Sequence, residues 1–241
     1  MPDLSIVIPM RNEAGNAPSL LSEIAALSGA LPDFEVIVVD DGSTDGTGEA
    51  ARSGWTAAEP LRVLRHPVSG GQSAAVHNGV LAARGRICAT LDGDGQNPPS
   101  EIPKLVRPLL GDKTGRVALV AGQRVGRKDT LSRRLASRFA NGLRSRLLKD
   151  GTRDTGCGLK AFRREAFLAL PYFDHMHRYL PALFKRDGWE VALVDVSHRE
   201  RVAGRSNYSN LKRALVGIYD LIGVAWLIRR RKKTRPEAEH D

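Results

Sequence analysis

The 241-residue sequence predicts an α/β fold: a mostly parallel sheet with helices on both faces, followed by an elaborated, basic C-terminal part. Three observations lead there. Short β-branched runs alternate with segments of helical apolar spacing through the first half. Several of those runs end in acidic, glycine-bearing clusters, and open α/β sheets hold their ligands beyond the carboxyl ends of their strands. Charge is also divided unevenly: residues 124–241 hold 27 of the 37 Lys and Arg but only 13 of the 27 Asp and Glu, within a net charge of +10.

Taken in order, Leu4–Pro9 (LSIVIP) reads as the first strand and Ala17–Leu27 as the first helix. Phe34–Asp41 (FEVIVVDD) is the second strand, followed by a helix over Asp45–Ser53. Strand Leu61–Arg65 leads to helix Ser73–Ala83, strand Ile87–Leu91 to helix Glu101–Leu110, and Val117–Gly122 is a fifth strand. Strands alternating with helices imply parallel pairing with helices covering both faces, a Rossmann-like arrangement. Beyond it, Thr130–Leu148 is predicted to be an arginine-rich helix, and Thr152–Arg164 a turn entering a strand. Glu190–His198 is a further strand, and Ser209–Ile228 a long helix with a basic tail. With no linker or repeat in view, residues 1–208 form one domain and 209–241 an amphipathic helix with its tail.

Composition narrows the function classes. At 41% hydrophobic residues the chain has enough apolar side chains for a core and is not a disordered segment. Two cysteines, Cys88 and Cys157, make no disulfide framework, which favours a reducing cytoplasm. Met1-Pro2-Asp3 lacks the basic start of a signal peptide, and no stretch reaches the ~18 apolar residues of a spanning helix. The basic half calls for an anionic partner: nucleic acid, phosphorylated substrate or anionic lipid.

The strand ends carry the chemistry. Arg11-Asn12-Glu13 follows strand one, Asp40-Asp41-Gly42-Ser43 closes strand two, and Asp92-Gly93-Asp94-Gly95-Gln96 closes strand four. If these strands are adjacent and parallel, the three clusters meet at one edge. Two carboxylates one residue apart can share a hard divalent cation, which would hold a diphosphate and stabilise charge on a leaving group. A glycine turn with solvated aspartates is the plainer alternative. Asp40 and Asp41 can accept hydrogen bonds from a base or ribose, while Ser43, Thr44 or Asp45 can cap the next helix. No G-x-G-x-x-G follows strand one and no G-K-[ST] occurs, which argues against dinucleotide and P-loop sites. His175 and His177 lack a third ligand at zinc spacing, and Cys157 reads as a small packing residue.

SIVIPMRNE (Ser5–Glu13), VIVVDDGSTDGT (Val36–Thr47) and LDGDGQNPPSEI (Leu91–Ile102) resemble the family 2 inverting glycosyltransferases of GT-A fold. The narrower likeness is to the polyprenyl-phosphate glycosyltransferases, the dolichol-phosphate mannose synthase branch. It rests on AGQR (Ala121–Arg124), SRFANGLRSRLL (Ser137–Leu148) with DTGCGLKAFRRE (Asp154–Glu165), and HRERVAGRSNYSNL (His198–Leu211). The resemblance implies that Pro9, Asn12 and Glu13 lie at a base-binding edge and that Asp40 and Asp41 contact the nucleoside. It implies Asp92, Asp94 and Gln96 as ligands of Mg²⁺ or Mn²⁺ and of the donor diphosphate. Arg124, Arg138 and Arg201 are implied to meet the phosphates of donor and acceptor. Where related sequences read R-x-x-G-x-S-K, this chain has Asn207 at the lysine.

The implied reaction moves a sugar from a UDP- or GDP-linked donor to an undecaprenyl or dolichyl phosphate, in cell envelope biogenesis. A phosphate oxygen is already anionic and needs no base, so Asp154, a base in hydroxyl-directed relatives, would instead orient Arg138 or a turn. The apolar run Leu211–Ile228, with Trp226 at headgroup level and Arg229–Lys233 after it, fits an interfacial helix on anionic lipid, at the inner face of the cytoplasmic membrane. A core helix with a solvated tail is the alternative. Two other readings stay open: a family 2 transferase acting on a sugar hydroxyl, and a nucleic-acid-binding protein. The second is disfavoured because only 5% of residues are aromatic, leaving few rings to stack on bases.

Overall fold

The computed structural model describes residues 1–125, 142, 144, 147–199, 210–231 and 234, with backbone alone along 210–215. Strands β1 (Leu4–Met10), β2 (Phe34–Asp40), β3 (Leu61–Arg65), β4 (Ile87–Thr90), β5 (Val117–Arg124), β6 (Lys160–Arg163) and β7 (Glu190–Val196) build one sheet. Its order is β3-β2-β1-β4-β6-β5-β7. Every pairing is parallel except those of β6, which runs against both β4 and β5. Helices α1 (Ala17–Ala25), α2 (Thr47–Ser53), α3 (Gln72–Ala82) and α4 (Ile102–Gly111) lie in the first half. Helices α5 (Arg164–Leu168), α6 (Leu180–Arg186) and α7 (Asn210–Arg229) lie in the second.

The sequence expectations hold for each element of the first half, with ends shifted by one or two residues. The strands read as continuous apolar runs because both faces are covered. Leu4, Ile6, Ile8 and Met10 alternate with Val7, and Val36 and Val38 with Ile37 and Val39. One set packs with α1, α2 and α4, the other with α3, α5, α6 and α7. The expected strand within 152–164 is only four residues long and antiparallel. Of the expected helix 130–148, Gly142, Arg144, Leu147 and Leu148 are described and helical; the rest, Arg138 included, lies outside the described residues.

α7 has two apolar faces. Val224 is buried, with Leu221, Ala225, Leu227 and Ile228 packed beside it on the core. The opposite face leaves Ile218, Tyr219, Ile222 and Trp226 57%, 80%, 63% and 59% exposed. No helix among the described residues is long and apolar enough to cross a membrane.

Candidate active site

The sheet order places β1 between β2 and β4, so the three clusters following these strands do meet at one edge. The loops after β1 and β2 are knitted together. Asn12, at φ 55°, accepts the Thr44 N–H at 3.0 Å and gives its own N–H to Ser43 Oγ at 3.0 Å. The Glu13 N–H reaches Thr47 Oγ1 at 2.9 Å, and its carboxylate accepts from Asn16 Nδ2 at 2.6 Å. Pro9 lies in β1, partly buried. Asp40 accepts the Ser43 N–H at 2.9 Å. Gly46 stands at the N-cap of α2 with no side-chain cap, and Asp45 just before it accepts the Thr47 N–H at 3.1 Å.

Asp41 organises a further loop. Its carboxylate meets His66 Nδ1 (2.7 Å), Ser69 Oγ (2.6 Å) and the N–H groups of Gly70 (2.8 Å) and Gly71 (3.0 Å). Burial works to raise its pKa, but these hydrogen bonds outweigh it and hold the carboxyl below its ordinary value. The turn behind it needs glycine: Gly42 has φ +70°, and a Cβ there would lie 2.7 Å from the Ser69 nitrogen.

Asp92 follows β4 and accepts from Gln72 Nε2 at 2.7 Å and Asn97 Nδ2 at 3.2 Å. Burial and then the neighbouring Asp94 charge raise its pKa, while Lys160, Asn97 and Arg124 favour the ionised form. Asp94 accepts the Gln96 N–H at 3.2 Å, and the Gln96 carbonyl accepts from the Arg199 N–H at 2.9 Å. On the far side, Arg124 at the end of β5 forms a two-pronged pair with Asp154, at 2.5 and 2.9 Å. Asp154 also accepts the Gly156 N–H at 3.0 Å. Gln123 Oε1 fixes this turn by accepting the N–H groups of Arg153 (2.9 Å) and Asp154 (3.0 Å). Burial opposes the Arg124 charge, but Asp154 raises its pKa overall, so the guanidinium stays charged.

Antiparallel β6 brings a buried lysine to the same edge. Lys160 donates to the Cys157 carbonyl, and burial lowers its pKa against the pull of Cys157, Asp92 and Asp154. Gly158 lets this strand approach: a Cβ there would lie 2.3 Å from Asp92 Oδ2. Gln72, Asn97 and Lys160 carry no site signal in the local sequence pattern, beyond the charge of Lys160 itself in the otherwise apolar run before Phe162. Among the described residues no group of three His, Cys, Asp or Glu is gathered as a metal cluster. The donor set still suits a hard cation: carboxylate oxygens rather than sulfur or imidazole, among them Asp92, whose charged form burial and the neighbouring Asp94 charge disfavour. Arg201, like Arg138, lies outside the described residues.

A Rossmann-like sheet interrupted by one antiparallel strand, with a D-x-D turn at the carboxyl end of its strands, defines a glycosyltransferase of GT-A architecture. The chain belongs to glycosyl transferase family 2, whose sequence profile matches residues 5–170. It is 35% identical to the dodecaprenyl-phosphate galacturonate synthase of Rhizobium johnstonii, over 97% of this chain and 69% of that protein. It is 33% identical to the undecaprenyl-phosphate 4-deoxy-4-formamido-L-arabinose transferase of Aeromonas hydrophila, over 91% of this chain and 66% of that protein. The chain thus spans about two thirds of these relatives' length. Among solved structures, glucosyl-3-phosphoglycerate synthase of Mycobacterium tuberculosis with Mn²⁺, UDP-glucose and phosphoglyceric acid superposes with a TM-score of 0.72. That match has 24% identity over 93% of this chain and 80% of the other. The same enzyme with Mg²⁺ and UDP gives 0.71 at 22% identity, over 97% and 81%. At these identities the likeness is one of fold.

Proposed function

We propose that the protein transfers a sugar, with inversion, from a nucleoside-diphosphate donor to a polyprenyl phosphate. The observation that carries this reading is the state of Asp154. A general base must turn an oxygen toward the incoming proton, whereas this carboxylate is engaged at both oxygens, Oδ2 by Arg124 Nε and Oδ1 by Arg124 Nη2 and the Gly156 N–H. An acceptor that arrives already ionised needs no such base. Its phosphate oxygen attacks the anomeric carbon, the bond from that carbon to the donor's diphosphate breaks, and the diphosphate leaves with the electron pair. The named relatives, which act on dodecaprenyl and undecaprenyl phosphates, support the same acceptor class.

Asp92 and Asp94, with Gln96 beside them, would hold Mg²⁺ or Mn²⁺, which would neutralise the departing diphosphate. Gln72 and Asn97 fix the Asp92 carboxylate. Arg124 offers a permanent positive charge facing two phosphate-bearing substrates, with Arg138 and Arg201 as further phosphate contacts. Asn12, Glu13, Asp40 and Asp41 shape the nucleoside edge. The exposed face of α7, with Trp226 near its end and Arg229–Lys233 after it, rests in this reading on an anionic lipid surface, where a prenyl acceptor resides.

The test is transfer from a panel of UDP- and GDP-sugars to undecaprenyl phosphate, beside undecaprenol and simple sugar alcohols. Transfer to the phosphate alone is expected, abolished by excess chelator and cut by about 10²-fold or more in Asp94→Asn, comparable to losing a main electrostatic stabiliser. Equal transfer to the alcohols, or full activity in chelator, would overturn it.

A further inference from the structure

The edge of the sheet opposite the candidate active site carries a second basic centre. Arg86 precedes β4, Arg163 ends antiparallel β6, and Trp189 precedes β7, so all three lie where the parallel strands begin. The C-terminal end of α7 closes over them. Between these parts is a cleft of about 1130 Å³ lined by Arg86, Arg163, Arg186, Arg229 and Arg231. Among the described residues, two carboxylates, Glu165 and Asp187, share the lining.

The arginines differ in how they are held. Arg163 is fixed by the Val117 carbonyl at 2.9 Å and Asp112 at 3.3 Å. Arg186 is fixed by the Leu227 carbonyl at 2.9 Å and Asp187 at 2.6 Å. These two form set walls. Arg86 pairs with the half-exposed Asp3, and its own side chain is 70% accessible. Arg229 and Arg231 are exposed and form no ion pair among the described residues. Like charges brought together at a concave surface repel unless an anion joins them, and guanidinium forks suit phosphate oxygens.

We propose that this cleft is a second anion site, taking a phosphate ester group, distinct from the diphosphate position at the other edge. The inference rests on the charge and shape of the cleft, and would stand if the acceptor of the sugar proved to be a hydroxyl. Two sources of that chemistry exist: the headgroup of an anionic phospholipid, and a free phosphate ester. The cleft adjoins the end of the helix whose outer face exposes Ile222 and Trp226, which places it within reach of headgroups if α7 lies on a bilayer.

The experiment uses the full chain in two arms. Vesicles of phosphatidylcholine alone, or mixed with phosphatidylglycerol, are sedimented with wild type, Arg229→Gln/Arg231→Gln and Arg86→Gln. Protection of the thermal midpoint by inorganic phosphate and by glycerol 3-phosphate is measured on the same proteins. If the headgroup is the source, the double variant binds the anionic vesicles about 30-fold more weakly and Arg86→Gln about 5-fold, with binding to neutral vesicles unchanged. If a free ester is the source, phosphate protection falls in both variants while vesicle binding holds. Either result supports the site. Loss in the double variant with none in Arg86→Gln would assign binding to a simple basic tail and overturn the cleft. No change in either arm would overturn it as well.

Discussion

Gly158→Ala probes the close approach of the segment entering β6 to the acidic turn after β4. A Cβ at Gly158 would lie 2.3, 2.4 and 2.5 Å from the Oδ2, Cγ and Oδ1 of Asp92, where ordinary contact begins at 3.4 Å. The backbone has little room to yield, because the Gly158 carbonyl accepts from Thr90 Oγ1 at 2.9 Å on the neighbouring strand. Asp92 must therefore retreat by about 1 Å, breaking with Gln72 and Asn97, and a displacement of that size at a reacting centre costs about 10²-fold. Overpacking of this kind also costs roughly 1–3 kcal/mol of stability, so the variant should fold with a lowered midpoint. The assay is kcat as a function of Mn²⁺ concentration, with Gly111→Ala as control, since a Cβ there meets nothing within 4 Å. Turnover within twofold of wild type, at unchanged metal dependence, would refute the argument that this approach sets the position of Asp92.

Two further predictions concern titrating groups. Asp154→Asn should weaken turnover by loosening Arg124 while leaving the acid limb of kcat against pH in place, because the acceptor's own second ionisation near pH ~6 sets that limb. Complete loss of chemistry in a folded, donor-binding Asp154→Asn protein would restore a general base and contradict the phosphate acceptor. His177, whose Nδ1 lies 2.7 Å from Ser73 Oγ, is pushed well below its ordinary value of 6.5, chiefly by burial. Its folded pKa is depressed, so the unfolded chain binds the extra proton first, and stability present above pH 6.5 falls as the pH drops below it. Thermal midpoints measured across that range should show a shallower acid decline in His177→Gln than in wild type; identical slopes would count against it.

The first half of the fold was legible in the sequence because its strands are apolar on both faces and bounded by turn residues, the strongest local signals available. The site's acidic residues were legible for a related reason: each follows a strand end, and parallel pairing gathers strand ends. What local pattern could not supply was the partner of each group. Asp41 reads as a nucleoside contact, yet four groups from residues 66–71 converge on it, a meeting set by the β2–β3 register. Asp154 reads as orienting Arg138 or a turn. Arg138 lies outside the described residues, and the turn is seen in the Gly156 N–H that Asp154 accepts. The pairing with Arg124 from the end of β5 is what local pattern does not announce. The roles of Lys160 and of the close approach at Gly158 are not legible locally because they arise only when β6 turns against its neighbours, and a four-residue strand carries too little periodicity to announce direction.

That reversal divides the sheet into two parallel blocks, β3-β2-β1-β4 on one side and β5-β7 on the other. Asp92 belongs to the first block and Arg124 to the second, and the link between the blocks in the sheet is the ladder of β6, from Thr90↔Lys160 across to Ala121↔Lys160. The short strand thus works as a ruler, fixing how far the acidic turn stands from the guanidinium. Phe162, stacked on Phe167 with ring centres 4.6 Å apart, anchors that ruler in the core beneath. A slip of one residue along it would turn Lys160 to the other face of the sheet and alter the gap between the two charged groups, leaving both blocks whole and the site mismeasured.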